Sequence, residues 1–127
     1  NGFIEERDKQ ANFYHENLAK IDWLSLPEKP ANGTHAWQAY VTQINLETGS
    51  QFRNYVMKIL ETENIATRPG THAIHLLGYY ASKYGFKPTD FPNSLIANET
   101  TMALPLHNRL TREDQLRVIT ALNKIAV

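Results

Sequence analysis

The densest group of side chains that could do chemistry lies between residues 67 and 75, and its members are Arg68, Thr71, His72 and His75. A guanidinium binds a carboxylate or phosphate through two parallel hydrogen bonds. Gly70 would let the backbone approach a ligand closely, and the N–H groups that open the following helix could receive an anion. Loops between a strand and a helix often carry function because a rigid scaffold positions them. The pattern therefore predicts a ligand-binding loop.

Two other interpretations of this loop stay open. Arg68 could be an exposed charge, with His72 and His75 only capping or packing the helix. Alternatively, the two histidines are three residues apart, fall on one helix face and could form half of a metal site. His107 or Asp90 would then supply the third ligand. No acidic residue that would orient the rings is evident, so we predict no metal site.

Composition limits the classes of protein, partner and site that this sequence can represent. The chain has 127 residues, of which 42% are hydrophobic and 20% charged, so we expect residues 1–127 to form a single domain. Thirteen basic and thirteen acidic residues leave no formal net charge, which argues against a nucleic-acid partner. The absence of cysteine excludes disulfides, thiolate metal sites and cysteine nucleophiles. No apolar run approaches membrane-spanning length, so we expect no membrane partner.

Hydrophobic periodicity predicts mainly helices with a few short strands. Helices are predicted over residues 3–20, 52–60, 73–84 and 92–99 and from Thr111 onward, strands over 35–44, 65–67 and 102–104, and a loop that ends at Gly49 and Ser50. This order indicates an α+β domain with two layers, in which helices cover a small sheet.

Several local signals make the predictions specific. Thr111 followed by Asp114 predicts a capping box for the last helix. Gly85 suits the C-terminal cap of the helix over 73–84. Residues 68–70 are predicted to interrupt the extended pattern before that helix. The inner face of the helix is expected to consist of Ile74, Leu77, Tyr80 and Ala81.

The first predicted helix carries a narrow apolar stripe that needs something to pack on. We expect His15, on its charged side, to be solvated, and His35 to pack at the start of the strand over 35–44. The stripe consists of Ile4, Ala11, Tyr14 and Leu18.

The order and spacing of several segments resemble a known family. The segments are Glu63–Leu76, Tyr79-Tyr80, Tyr84-Gly85, Phe91-Pro92, Ala103–His107 and Leu110–Asp114, with His35–Val41 upstream. Together they are similar to the C-terminal segment of the DegT/DnrJ/EryC1/StrS sugar aminotransferases. The resemblance runs from about residue 5 to residue 126.

The resemblance implies a fold and a chemistry. The matching region would be the small domain of the aspartate-aminotransferase fold, with a short, mainly antiparallel sheet covered by helices. The parent enzyme would use pyridoxal phosphate to transfer an amino group, often from glutamate, to a keto sugar on a nucleotide carrier. Members work as homodimers in the cytoplasm, and their products enter surface polysaccharides or glycosylated metabolites. Some relatives use the same cofactor for sugar dehydration.

One departure from the family pattern is large. The Schiff-base lysine motif belongs to a large domain that does not match here, and none of the seven lysines has a matching context. We therefore expect a piece of a longer enzyme that holds no cofactor and no catalytic residue of its own. An alternative is a free-standing, non-catalytic binding module.

The resemblance also implies partners for specific residues. It places Arg68, Thr71, His72 and His75 against the sugar-nucleotide substrate. The missing large domain would be a second partner, and apolar surface facing it is expected on the first helix. Self-association through that helix would follow, at Ile4, Ala11, Tyr14 or Leu18.

Overall fold

The computed structural model describes residues 2–45 and 50–126. Its elements are α1 (Gly2–Leu18), β1 (Leu24–Ser25), β2 (Tyr40–Ile44), α2 (Ser50–Thr62), β3 (Arg68–Pro69), α3 (Gly78–Tyr84), α4 (Pro92–Thr100), β4 (Thr101–Leu104) and α5 (Arg112–Asn123), with 3-10 turns at Ile74–Leu76 and Pro88–Asp90. The predicted loop before α2 falls mostly on residues 46–49, outside the described residues. None of the described helices is long and apolar enough to cross a membrane.

The strands of the described residues form one antiparallel sheet in the order β1-β2-β4-β3. Helices pack against it, so the predicted α+β class is confirmed. In the central pair, Tyr40 lies opposite Leu104 and Thr42 opposite Met102. Alternate residues of β2 are buried, as a sheet with one face on the core requires.

The β2 strand begins five residues later than predicted. Trp37 has a φ of 47°, a left-handed conformation that interrupts an extended chain. This turn directs the indole into the core, where Trp37 is fully buried although it lies outside the strand. The buried face of β2 consists of Tyr40, Thr42 and Ile44.

The prediction that residues 65–67 form a strand interrupted at residue 68 is wrong. The strand is Arg68–Pro69, which pairs with Ala103 and Met102. Because β3 lies at the edge of the sheet, Pro69 can occupy it without costing a hydrogen bond inside the sheet.

The apolar stripe of α1 is buried within its own chain. Ala11, Tyr14 and Leu18 are fully buried, and only Ile4 is exposed. The Gln115 side chain donates to the backbone carbonyl of Gln10 at 3.0 Å, which ties α1 to α5. The expectation that α1 presents its apolar face to another domain is therefore wrong.

Contacts around α1 also correct the expectation for His15. Its ring is not solvated: Nδ1 lies 2.8 Å from the Ala11 carbonyl oxygen and Nε2 lies 2.6 Å from that of Pro27. The Tyr40 hydroxyl adds a contact at 3.1 Å. His35 packs on Trp37, with ring centroids 4.0 Å apart, as expected, but it lies five residues before β2 and not at the start of the strand. Both ring nitrogens of His15 are therefore engaged within the chain.

Helix-end predictions are confirmed. At α5, the Thr111 hydroxyl accepts from the Asp114 N–H at 3.1 Å, and the Asp114 carboxylate accepts from the Thr111 N–H at 3.1 Å. At α3, Gly85 is left-handed, with a φ of 67°, and donates to the Ala81 carbonyl. These caps depend on local sequence alone, which explains why the sequence predicts them.

A charged contact fixes Trp37 in place. The indole N–H donates to the Asp8 carboxylate at 2.8 Å, and Lys29 approaches the same oxygen at 2.5 Å. The hydrogen bond from Lys29 and the one from Trp37 lower the pKa of Asp8 below its usual 3.8. Ionised Asp8 therefore stabilises the folded chain at neutral pH, and this contribution disappears as the pH falls through the lowered value.

We expect Asp8→Asn to destabilise the protein at pH 6 by less than about 1 kcal/mol, because the contact is partly exposed. The difference between the two proteins should shrink below about pH 4, where Asp8 becomes protonated. Urea unfolding at several pH values measures this. Asp22→Asn at an exposed position is the control. A difference that persists unchanged at pH 2 would contradict the prediction.

Candidate functional site

The loop over residues 68–75 is anchored near both of its ends. Gly70 donates its N–H to the Thr101 carbonyl at 3.1 Å, directly beyond the β3–β4 pairing. At the other end, the Ala73 N–H donates to the Asn98 side chain on α4 at 2.9 Å. Thr71 and His72 lie between these two anchors and are exposed. The loop thus presents its central side chains from a fixed backbone.

The close approach at Gly70 is to the sheet. A Cβ atom built on Gly70 would lie 2.5 Å from the Val41 Cγ1 and 2.6 Å from the Thr101 Oγ1. The expectation that this glycine makes room for a ligand is therefore not needed to explain its presence. Gly70 seats the loop against β2 and β4, and that seating positions the residues that follow.

No cavity lined by the described residues brings all four predicted site residues together. His72 and His75 line a common groove of about 310 Å3, together with Ile74, Phe86, Phe91 and Ser94. Arg68 lies in a separate hollow of about 170 Å3 beside Ala103, Leu104 and Pro105. Thr71 lines neither hollow. The structure thus brings the two histidines together and leaves Arg68 on the neighbouring sheet edge.

His75 is the most enclosed of the four. It is 5% exposed, and its Nε2 lies 3.2 Å from the Pro88 carbonyl, an acceptor that requires a proton on Nε2. In the neutral ring, Nδ1 then carries the lone pair. The Phe91 ring packs 5.0 Å from the imidazole. His75 is therefore held in one orientation, whereas His72 is exposed at the groove.

Sequence reasoning missed Arg53, which supports the same loop from behind. Arg53 is 9% exposed and donates from Nη1 to the Thr101 carbonyl at 3.0 Å, the carbonyl that also accepts from Gly70. Among the described residues its Nε has no partner. Burial lowers the pKa of the guanidinium, and nearby Glu99 opposes that shift. Its position on α2 could have indicated this burial, because Arg53 lies on the same helix face as the buried Val56 and Leu60.

No metal site assembles around the histidines. Over residues 2–45 and 50–126, no three side chains of the metal-ligating types come together. His107 instead accepts a hydrogen bond from the Arg109 N–H at 3.3 Å. The alternative with His107 or Asp90 as a third ligand has no support in this part of the chain.

The fold of the chain is shared with known proteins. Residues 1–123 match the model of the DegT/DnrJ/EryC1/StrS aminotransferase family. The chain belongs to this family. Its resemblance to the family, noted from the sequence, is confirmed.

Two curated relatives of the DegT/DnrJ/EryC1/StrS chain are similar over nearly all of its length. The spore coat polysaccharide biosynthesis protein SpsC of Bacillus subtilis is 30% identical over 122 residues, which cover 95% of this chain and 31% of SpsC. An uncharacterised protein of Methanocaldococcus jannaschii is 29% identical over 121 residues, with the same coverage. The chain thus spans about a third of the length of these relatives.

Solved structures of the family share the fold. An aminotransferase from Brucella abortus is 27% identical, with a TM-score of 0.78 over 96% of this chain and 31% of that protein. The aminotransferase TlmJ from Streptoalloteichus hindustanus, at 24% identity, has a TM-score of 0.82 over 95% of this chain and 31% of TlmJ. PseC from Helicobacter pylori, at 12% identity, has a TM-score of 0.85 over 96% of this chain and 32% of PseC. The predicted small-domain fold of the pyridoxal-phosphate aminotransferases is confirmed.

The groove of His72 and His75 does not contain the lysine that would hold the cofactor of this family. Pyridoxal phosphate is held by a lysine Schiff base in an enclosed pocket. All seven lysines of this chain are exposed. None of them lines the groove beside His72 and His75.

Proposed function

We propose that this chain is the substrate-facing part of a sugar aminotransferase that uses pyridoxal phosphate. The observation that carries the proposal is the family match over residues 1–123, combined with coverage of only about 31% of the relatives. The donor would be glutamate and the acceptor a keto sugar on a nucleotide carrier. The whole enzyme would act as a homodimer in the cytoplasm. The chain alone would be inactive because none of its seven lysines lies in a sequence context that matches the family's Schiff-base motif.

The first test asks whether the longer polypeptide carries the cofactor. We expect full-length protein to absorb visible light from lysine-linked pyridoxal phosphate, and residues 1–127 alone to show no such absorbance. Incubation with glutamate and a nucleotide-linked keto sugar should yield the amino sugar. A dehydrated sugar without amine would identify the dehydratase alternative. A natural protein that begins near Asn1 would favour the free-standing binding module.

We propose that His72 and His75 contact the sugar nucleotide in their groove, and that Thr71 and, from the neighbouring hollow, Arg68 contact parts of it outside the groove. His72 is exposed beside the groove, so its ring can donate to or accept from a polar ligand. His75, fixed by Pro88 and Phe91, would orient the part of the ligand that enters the groove. Neither role requires either histidine to exchange protons with the substrate.

We expect His72→Ala in the full-length enzyme to raise KM for the nucleotide sugar about tenfold and to leave kcat within about threefold. A hydrogen bond to a charged or polar ligand group contributes about 1–2 kcal/mol. His107→Ala is the matched control, because His107 is exposed on a different loop outside the groove. Equal KM values for the two variants would remove His72 from the proposed site.

A further inference from the structure

The segment from residue 74 to residue 91 is rich in large apolar side chains, but none of them joins the hydrophobic core. That core is formed by other elements, chiefly α1, β2, α2, β4 and α5. The exposed side chains of the segment, here called the aromatic surface, are Ile74 (60% exposed), Leu77 (48%), Tyr79 (65%), Tyr80 (39%), Tyr84 (55%) and Phe91 (44%). The prediction that Ile74, Leu77 and Tyr80 form an inner face is therefore wrong for this chain.

Ring contacts connect the aromatic side chains of this surface. Tyr84 stacks on Tyr80 and on Phe86, with centroids 6.4 and 5.4 Å apart. Phe91 lies 5.3 Å from Phe86 and 5.0 Å from His75. The chain of rings thus runs from α3 to the groove of His72 and His75. An apolar surface joined to a candidate site in this way is typical of an interface.

The helix that carries this surface needs a partner. α3 has seven residues and is separated from the preceding turn by Leu77, whose backbone is extended. Helices this short are marginal in water unless an apolar face is packed. No residue of α3 is buried within the described chain. The described residues do not supply that packing, since no residue of α3 belongs to the hydrophobic core.

We propose that the aromatic surface is the face on which the remaining two-thirds of the polypeptide packs. This inference rests on the proposed function, in which the chain is one part of a longer enzyme. The SpsC comparison leaves 69% of that relative's length uncovered, so a body larger than this domain is available as the occupant. The apolar face of α1, which was first expected to contact this body, is buried within the same chain, where α5 packs on α1.

Other exposed apolar side chains do not compete for this role. Phe3 and Ile4 lie near the start of α1, Tyr55 on α2 and Leu116 on α5. They are scattered over three helices, whereas the aromatic surface gathers six side chains within 18 residues. Packing on this surface places the groove of His72 and His75 at a boundary between two domains. Ligand pockets form preferentially at such boundaries, so the site would be completed by the docked domain.

Hydrogen exchange on the full-length protein tests the inference. We expect slow exchange of the α3 amides in the wild type, and exchange at least tenfold faster in Leu77→Asn, because an amide side chain at the interface disrupts packing. Leu116→Asn is the matched control, since Leu116 is 46% exposed against 48% for Leu77. It should leave α3 exchange unchanged. The pair Tyr79→Ser and Tyr55→Ser repeats the comparison with aromatic side chains.

Three results would overturn the inference. Fast α3 exchange in the wild type would show that nothing covers the surface. Equal effects of Leu77→Asn and Leu116→Asn on α3 exchange would show that the effect is not specific to the aromatic surface. Protection that rises with protein concentration would identify a second copy as the occupant. Cofactor absorbance separates this inference from the proposed function: lysine-linked cofactor with an unprotected α3 refutes only the docking surface, and a protected α3 without cofactor refutes only the aminotransferase.

Discussion

Gly70→Ala should destabilise the chain by about 1–3 kcal/mol, because one added methyl group has no space. Its carbon would lie within 2.7 Å of three side-chain atoms, the Cγ1 of Val41 and the Oγ1 and Cβ of Thr101. Thr101 cannot easily turn away, since it is buried and its hydroxyl donates to the Ala97 carbonyl at 2.6 Å. The loop would have to lift from the sheet, weakening the bond from Gly70 to the Thr101 carbonyl.

Thermal unfolding measures this effect, and a fall in Tm of roughly 4–12 °C corresponds to it for a domain of this size. Gly78→Ala is the control, because beyond its chain neighbours and the backbone of its own helix no atom lies within 4 Å of the position that its Cβ would take. That variant should be neutral or slightly more stable, since alanine favours a helix. Adding Val41→Ala to Gly70→Ala should recover part of the loss by removing one clashing atom. Unchanged stability of Gly70→Ala would contradict the tight seating.

The same variant has a functional consequence in the full-length enzyme. Because Gly70 anchors the loop two residues before His72, lifting the loop would displace His72 relative to its groove. We expect KM for the nucleotide sugar to rise at least as much as in His72→Ala, with His107→Ala remaining close to wild type. A normal KM in a destabilised Gly70→Ala protein would separate the loop anchor from the proposed site.

Trp37→Ala should be the most destabilising single substitution, with a loss of about 3–5 kcal/mol. Trp37 is fully buried, and it has the largest volume of the fully buried side chains among the described residues. Its ring stacks on Tyr40 with centroids 5.7 Å apart, and its N–H donates to Asp8 at 2.8 Å. Truncation leaves a large cavity between α1 and β2 and leaves the Asp8 carboxylate without this donor.

A graded series of substitutions separates the contribution of the packed ring from that of the hydrogen bond to Asp8. Trp37→Phe keeps an aromatic ring but removes the hydrogen bond to Asp8, so we expect a loss smaller than that of Trp37→Ala, about 1–3 kcal/mol. Urea unfolding can be followed in all variants by the fluorescence of Trp23, which remains. Tyr79→Ala is the control for aromatic truncation at an exposed position and should be nearly neutral in the 127-residue chain. A Trp37→Ala protein as stable as the control would contradict the burial of the indole.

Local patterns account for what could be predicted of the fold. The stripe of α1, the amphipathic pattern of α2 and the capping box at Thr111 and Asp114 each depend only on residues within one helix or directly before it. The same holds for the left-handed cap at Gly85. The strand over Thr101–Leu104 was predicted within one residue because it is short, apolar and stopped by Pro105.

Predictions failed where a distant element decides the outcome. Pro69 is acceptable in a strand only because β3 is an edge of the sheet, and strand order is not a local property. His15 is enclosed because Pro27 and Tyr40 fold over it. The apolar face of α3 satisfies helical periodicity, but periodicity does not say which body covers that face. Arg53 is buried because Thr101 offers it a carbonyl 48 residues along the chain.

For the candidate site, the sequence by itself determined that a glycine, a threonine and two histidines lie together between residues 68 and 75, and that the chain resembles its family. Only the tertiary structure decided that His72 and His75 share a groove with Phe86 and Phe91, while Arg68 faces a different hollow. The reason is physical: spacing along a chain sets which side chains are neighbours in sequence. The direction of each side chain depends on the seating of Gly70 against β2 and β4 and on the extended break at Leu77, and both depend on packing between distant segments.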